Sequence, residues 1–431
     1  MPKIIANGFY GNFSIKGETN DFDGRLRQTI IADNVYSNGL KTANYSFNVT
    51  EARLIGEPTD LTITHFLRNH PDINKIDGNF WITYNPLLQP DAIVESSYTG
   101  EVKVEVVRQI EFSADAELKF NFQKHFKKYK NENDDTSSFS ELVANFSLDG
   151  ENNESARILE SLRKLDDLLL LSSFAARYRS VCVGWDLYDS KTLVKKFLRD
   201  KTIPDNSDKA WSRYDSLIDL SNFEEFIATV YSNFQNYIDI EAFRRTMNFV
   251  IPDSKNTIDG SFIILYSALE MIVLHFRRKN GLEFILPNKK FEKVRKKIKD
   301  YIEHLELLED ESEKIKIKEK LSELNRISFA TAFEEFCKHY SVDISDLWSV
   351  TGNNTGISLS QIRNKLIHGE HFSAEHYTIL FYAREHLRWT VERMILAILG
   401  WTVEKSTVSP QHLKMMTAYK NWQEEQAKFS K

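Results

Sequence analysis

The chain is predicted to be a multidomain α+β protein, with a β-rich N-terminal domain of sandwich or barrel type, a helical middle region and a C-terminal all-α bundle. Three observations predict this. Short runs of β-branched and aromatic residues fill the first 130 or so positions. Beyond residue 155 the apolar spacing changes to a helical period. The 431 residues also exceed the roughly 250–300 at which a single core stops growing.

Within 1–135 the runs Thr29-Ile30-Ile31-Ala32, Leu61-Thr62-Ile63-Thr64, Asn79 to Tyr84 and Glu101 to Val107 read as strands. Asn38-Gly39, Asp77-Gly78 and Thr99-Gly100 read as the turns between them. Residues 131–154 are polar and rich in Asn, Asp and Ser, which predicts a linker and opens a middle region spanning 136–256. In that region Leu159, Leu162, Leu165, Leu169 and Phe174 line one helix, and Phe223, Phe226, Ile227, Val230 and Phe234 line another. Thr202 to Ser212, with Pro204, reads as a loop between them, and Ile251-Pro252-Asp253 closes the region because the residue before a proline is pushed out of helical geometry.

Residues 257–400 read as the bundle. A helix starts near Thr257 or Asp259 and ends in Arg277-Arg278-Lys279 before Gly281, basic residues and a glycine being an expected C-terminal signature. Charged amphipathic sequence from Lys289 to Leu324 precedes an aromatic helix, Phe329 to Tyr340. A short helix then spans Ser358 to His368, with Ser358 and Gln361 at capping-box spacing, Leu359, Ile362 and Leu366 as its buried stripe, and Gly369 as its stop. The last long helix, Ser373 to Leu399, turns Leu380, Leu387, Val391, Met394 and Ile398 inward. The tail, 401–431, is too polar to assign.

Composition narrows the function classes. With 42% hydrophobic and 27% charged residues and a net charge of -6, the chain is neither collagen-like, disordered nor a small disulfide scaffold. The two cysteines, Cys182 and Cys337, sit amid apolar residues, which argues against a disulfide framework or a Cys-rich zinc site and favours the cytoplasm. The first residues lack the apolar core of a signal peptide. The longest apolar run, Phe262 to Phe276, is broken by Tyr266, Ser267 and Glu270 and falls short of the roughly 20 residues of a membrane span, so no membrane partner is expected. No GxxxxGK loop or GxGxxG fingerprint occurs, which leaves NTPase and dinucleotide-binding readings without support. Residues 1–150 hold 15 basic and 21 acidic side chains, whereas 257–431 hold 26 and 24, so a polyanion would meet the C-terminal third.

The short helix carries Arg363-Asn364-Lys365-Leu366-Ile367-His368. With 21 arginines and 11 histidines in 431 residues, chance alone supplies about 0.5 such pairs, so the context has to carry the motif. That context is a polar residue after the arginine, a capped amphipathic helix, and a bundle opening with a long apolar helix. There the chain resembles the HEPN superfamily of helical bundles, whose ribonuclease members carry Arg, a polar residue, a few more residues and then His. The order of parts also resembles the ApeA-type abortive-infection proteins of bacterial anti-phage defence.

The resemblance implies a metal-independent endoribonuclease without cofactor, built as a homodimer or higher even-numbered homo-oligomer whose composite site cuts RNA, with a phage-derived trigger or inhibitor as a further partner. Arg363, His368 and Asn364 would be the catalytic set, supported by Glu270 and Lys365, and Lys293, Lys296 and Lys297 would follow the RNA backbone. The chemistry suits these residue types. A histidine titrates near neutral pH and can move the 2′-hydroxyl proton, while an arginine supplies a fixed cation for charge building on phosphorus. Five residues of helix turn a side chain through roughly 140°, so one copy gives half a site.

The blander alternatives are an Arg363 salt bridge and a helix-end histidine. Glu270 either faces a basic partner such as Arg363 or protrudes from the bundle. A non-catalytic HEPN dimerisation module, and a metal site on His368, His371 and His376, complete the alternatives, the latter off-pattern for zinc.

Overall fold

The structure is a computed structural model that describes residues 4–7, 13–20, 27–48, 51–63, 65–68, 75–90, 92–96, 102–106, 110–115, 118–130, 136–149, 154–189, 192–198, 215–237, 239–252, 256–305, 307–308, 310–352, 356–370, 372 and 376–429. The protein is α+β: antiparallel strands come first and helices dominate afterwards. Two compact units divide at Asp215/Ser216.

The first unit holds β1 (Ile4–Asn7), β2 (Phe13–Asn20), β3 (Arg27–Asn48), β4 (Glu51–Ile63), β5 (His65–Arg68), β6 (Lys75–Ile82), β7 (Ala92–Ser96), β8 (Val102–Val106), β9 (Ile110–Ser113), β10 (Lys119–Lys130), β11 (Thr136–Asp149), helix α1 (Glu154–Ala176), β12 (Cys182–Asp189) and β13 (Thr192–Leu198). Ten of these strands pair in the order β1-β4-β3-β5-β13-β12-β6-β11-β10-β9, β2 adds to β3, and β7 and β8 form a separate ribbon.

Four sequence expectations change here. The segment expected as linker contains β11, a strand laid between β10 and β6, and the middle region expected to be helical contributes β12 and β13 to the same sheet. Its polar residues are those of a strand with one wet face: Leu142, Val143, Ala144 and Phe146 are buried while Ser147 is exposed. The expected Asp77-Gly78 turn lies inside β6, opposite Phe146 on β11 and Leu187 on β12. Gly78 is needed for close approach rather than for turning, since a Cβ there would sit 2.3 Å from Phe146 Cζ and 2.9 Å from Leu187 Cδ2. Asn38-Gly39 falls at register shifts within β3, and Thr99-Gly100 and Thr202 to Ser212 lie outside the described residues. Phe80 stacks on Phe146 at 4.3 Å and meets Phe120 edge-on, forming the core that α1 helps cover with Leu165, Leu168 and Leu171. Leu159, placed on the buried stripe by its spacing, is exposed.

The second unit contains α2 (Phe223–Gln235), α3 (Ile240–Val250), α4 (Ile258–Lys279), α5 (Asn288–Glu303), α6 (Glu311–Lys320), α7 (Phe329–Tyr340), α8 (Leu359–Ile367), α9 (Tyr377–Ile398), α10 (Pro410–Leu413) and α11 (Thr417–Phe429). α4 is capped by Thr257, whose hydroxyl accepts from the Gly260 N–H, and ends before Gly281 at φ +66°. At 22 residues it is, among the described residues, the one helix long and apolar enough to cross a membrane, and it packs against α3, α7, α8 and α9.

Helix α9 is the centre of this unit. Its His386 and Arg393 are 0% and 1% exposed, so each polar atom needs a partner. His386 Nδ1 accepts the Trp348 N–H at 3.1 Å, which fixes the tautomer and leaves Nε2–H to donate to the Ala418 carbonyl at 3.2 Å. Burial pushes its pKa down to about 4. Arg393 grips Asp346 with both terminal nitrogens, at 2.6 and 2.9 Å, and donates to the Val408 and Asp343 carbonyls. The tail therefore belongs to the unit: Tyr419 donates to Asp346, Trp422 stacks on Trp348 at 5.6 Å, and Gln426 donates to the Ile357 carbonyl.

A histidine whose folded pKa lies below its unfolded value of about 6.5 stabilises the fold above that pH, and the contribution disappears as pH falls toward 4. The shift corresponds to roughly 3 kcal/mol. Denaturant titrations at pH 7 and pH 4.5 are expected to show a loss that His386→Gln, already less stable at pH 7, largely lacks. Asp346→Ala strands a buried guanidinium and is expected to cost about 3 kcal/mol at neutral pH by the same measurement.

Candidate functional site

Helix α8 is placed from its N-terminal end. Ser358 and Gln361 form the expected capping box, and the Leu359 and Ser360 N–H groups donate to the Ser349 and Val350 carbonyls of the loop that His386 and Arg393 hold. Leu359 and Ile362 are fully buried against the bundle, Leu366 is half-buried, and Ile367 is 48% exposed. At the other end Gly369 takes φ +80°, with its N–H on the Leu366 carbonyl and the Glu370 N–H on the Lys365 carbonyl, a Schellman closure. Nine residues are thus held at both ends, and their outer face is left to solvent.

That face carries the motif. Arg363 Nη2 lies 3.2 Å from Glu270 Oε1 on α4, and Nη1 donates to Asn364 Oδ1 at 3.2 Å. Of the two readings of Glu270, the structure selects the one in which it faces Arg363. The pair is surface-accessible, with side chains 31% and 42% exposed, so it orients the guanidinium while adding less than about 1 kcal/mol to stability. The Arg363 Cζ also sits 5.7 Å from the centre of the Tyr266 ring.

Tyr266, one helical turn before Glu270, is the residue that sequence reasoning missed. The Ser360 hydroxyl donates to the Val350 carbonyl at 2.6 Å, so the proton between Tyr266 Oη and Ser360 Oγ, 2.8 Å apart, comes from the tyrosine. Burial raises the Tyr266 pKa, and the Glu270 carboxylate adds to the rise. The available signal was the i, i+4 spacing of Tyr266 and Glu270 on one helix.

His368 is the C-cap of α8, its N–H on the Asn364 carbonyl at 3.0 Å and its exposed ring without a hydrogen bond or ion pair among the described residues. Lys365 Nζ lies 2.9 Å from a Glu370 carboxylate oxygen at the exposed helix end. Lys293, Lys296 and Lys297 are exposed on α5, whose main neighbours are α6 and the turn at 321–325 rather than α8. His371 lies outside the described residues, and His376 precedes α9 beside Phe372.

One chain therefore presents an oriented cation on α8 and, at the C-cap of the same helix, an imidazole without a hydrogen bond or ion pair among the described residues. No family model matches the chain, and no curated protein or solved structure matches it either. Because Arg363 and His368 stand outside the core, Arg363→Ala and His368→Ala are each expected to unfold within about 1 kcal/mol of the unsubstituted protein in urea titrations.

Proposed function

We propose that this protein is a metal-independent HEPN endoribonuclease and the effector of a bacterial abortive-infection anti-phage defence system. The reading rests on one observation: a histidine whose ring has no hydrogen bond or ion pair among the described residues caps the short, doubly anchored helix that carries an arginine held by Glu270 and Tyr266. In this reading residues 257–400 are a HEPN-like bundle, the β-rich region is a sandwich or barrel that senses a trigger, and the protein acts in the cytoplasm.

The composite site needs two copies of α8. One His368 accepts the 2′-hydroxyl proton as the 2′-oxygen attacks phosphorus, and the other, protonated, gives a proton to the departing 5′-oxygen. The two Arg363 side chains hold the charge that builds on the phosphorane oxygens. Bond making and breaking balance without water, leaving a 2′,3′-cyclic phosphate and a 5′-hydroxyl.

With purified protein and total tRNA in EDTA, cleavage to 2′,3′-cyclic phosphate ends is expected, and Arg363→Ala or His368→Ala is expected to lower it by at least about 100-fold. Equal cleavage by both variants removes the reading. A second reading, a non-catalytic dimerisation module, is favoured by the exposed Ile367 beside His368. Ile362 is fully buried, so substitutions there would test the core; Ile367→Glu tests the surface, and the module reading expects it to abolish self-association while His368→Ala changes nothing.

A further inference from the structure

Helix α5 packs through Phe291 and Ile302, which are buried, and turns its opposite side outward. At 100° per residue, Lys289, Lys290, Lys293, Lys296 and Lys297 fall within an arc of about 120° centred on that outward side. All five are exposed, and among the described residues none has a carboxylate partner. Neighbouring cations differ: Arg295 pairs with Glu292, and on α6 Lys314 and Lys318 meet Glu311 and Glu303. One turn beyond Lys297, Tyr301 is 71% exposed. Lysines at this density repel one another, the exposed Asp300 being the one carboxylate within the same arc, and nothing in the packing of α5 requires them.

We infer that the lysine face of α5 is a docking surface for single-stranded RNA, separate from the Arg363 helix, with Tyr301 as a stacking platform for a base. The shape of the surface selects the ligand. Lysine heads on a convex helix diverge, which suits a linear polyanion running along about 12 Å of helix and not a small anion that needs convergent donors. A membrane surface fits less well, because Phe291 and Ile302 are already buried within the protein and only Val294 and Tyr301 are left exposed, too small an apolar face to insert. That the polyanion is RNA rests on the proposed cleavage reaction. The surface would hold the strand while the α8 site cuts it, so substrate affinity and turnover reside in different helices.

The test is fluorescence anisotropy of a labelled 20-nucleotide poly(U) with the full chain carrying His368→Ala, to prevent cleavage, across 50 to 300 mM salt. Three phosphates engaged give a slope of log K against log salt of about -2. Adding Lys293→Gln, Lys296→Gln and Lys297→Gln is expected to flatten that slope by about 2, and Tyr301→Ala to weaken binding about 10-fold with the slope unchanged. Unaltered affinity and slope in the triple variant overturn the inference, as does lysine-dependent binding to phosphatidylserine vesicles without RNA binding. Lysine-dependent RNA binding in a protein that cuts no RNA sustains the docking surface and counts against the nuclease reading alone.

Discussion

Much of the helical unit depends on one neutral imidazole. His386 has no access to water, and its Nδ1 can accept the Trp348 N–H only while unprotonated. That bond, with the Arg393 grip on Asp346 seven residues further along α9, fixes the loop from Asp343 to Val350. The loop carbonyls then receive the first N–H groups of α8, and Arg363 follows one turn later against Glu270. An exposed site thus takes its geometry from a polar core some distance along the chain, through hydrogen bonds whose donors and acceptors are all accounted for.

The C-terminal residues complete that support from outside. Tyr419, Trp422 and Gln426 touch Asp346, Trp348 and Ile357, all in the stretch leading into α8. Gly356, at φ +149°, lets Gln426 approach to a distance that a Cβ would crowd at 3.0 Å. The loop is thus held by both α9 and α11, which also pack against each other.

The sequence made the helices legible where local rules decide them. Thr257, Ser358, Gln361, Gly281 and Gly369 mark caps by hydrogen bonds that span only three or four residues, and the structure places each as expected. The apolar stripe of α2 is buried throughout, while Ile398 at the end of α9 is half-exposed. Strand pairing is different, because β11 is set by neighbours that lie tens of residues away and its own polar residues resemble a linker. The docked tail escaped for a related reason: Trp422 and Tyr419 are sparse in polar sequence and gain meaning only opposite Trp348 and His386. At the candidate site, Arg363 and His368 were visible as a motif, whereas Tyr266 was not, since an aromatic residue inside an apolar helix looks like core until its hydroxyl is seen to meet Ser360.

Helix α6 buries none of its side chains, while α9 buries fourteen of its twenty-two. Local opening draws its free energy from the contacts it breaks, so the two helices stand at opposite ends of the stability range within one unit. Amide protons of α6 will exchange with solvent through small, frequent fluctuations, and those of α9 will wait for the unit to unfold as a whole. α6 can therefore open and close against its neighbours many times while α9, and the loop it holds beneath α8, stays shut.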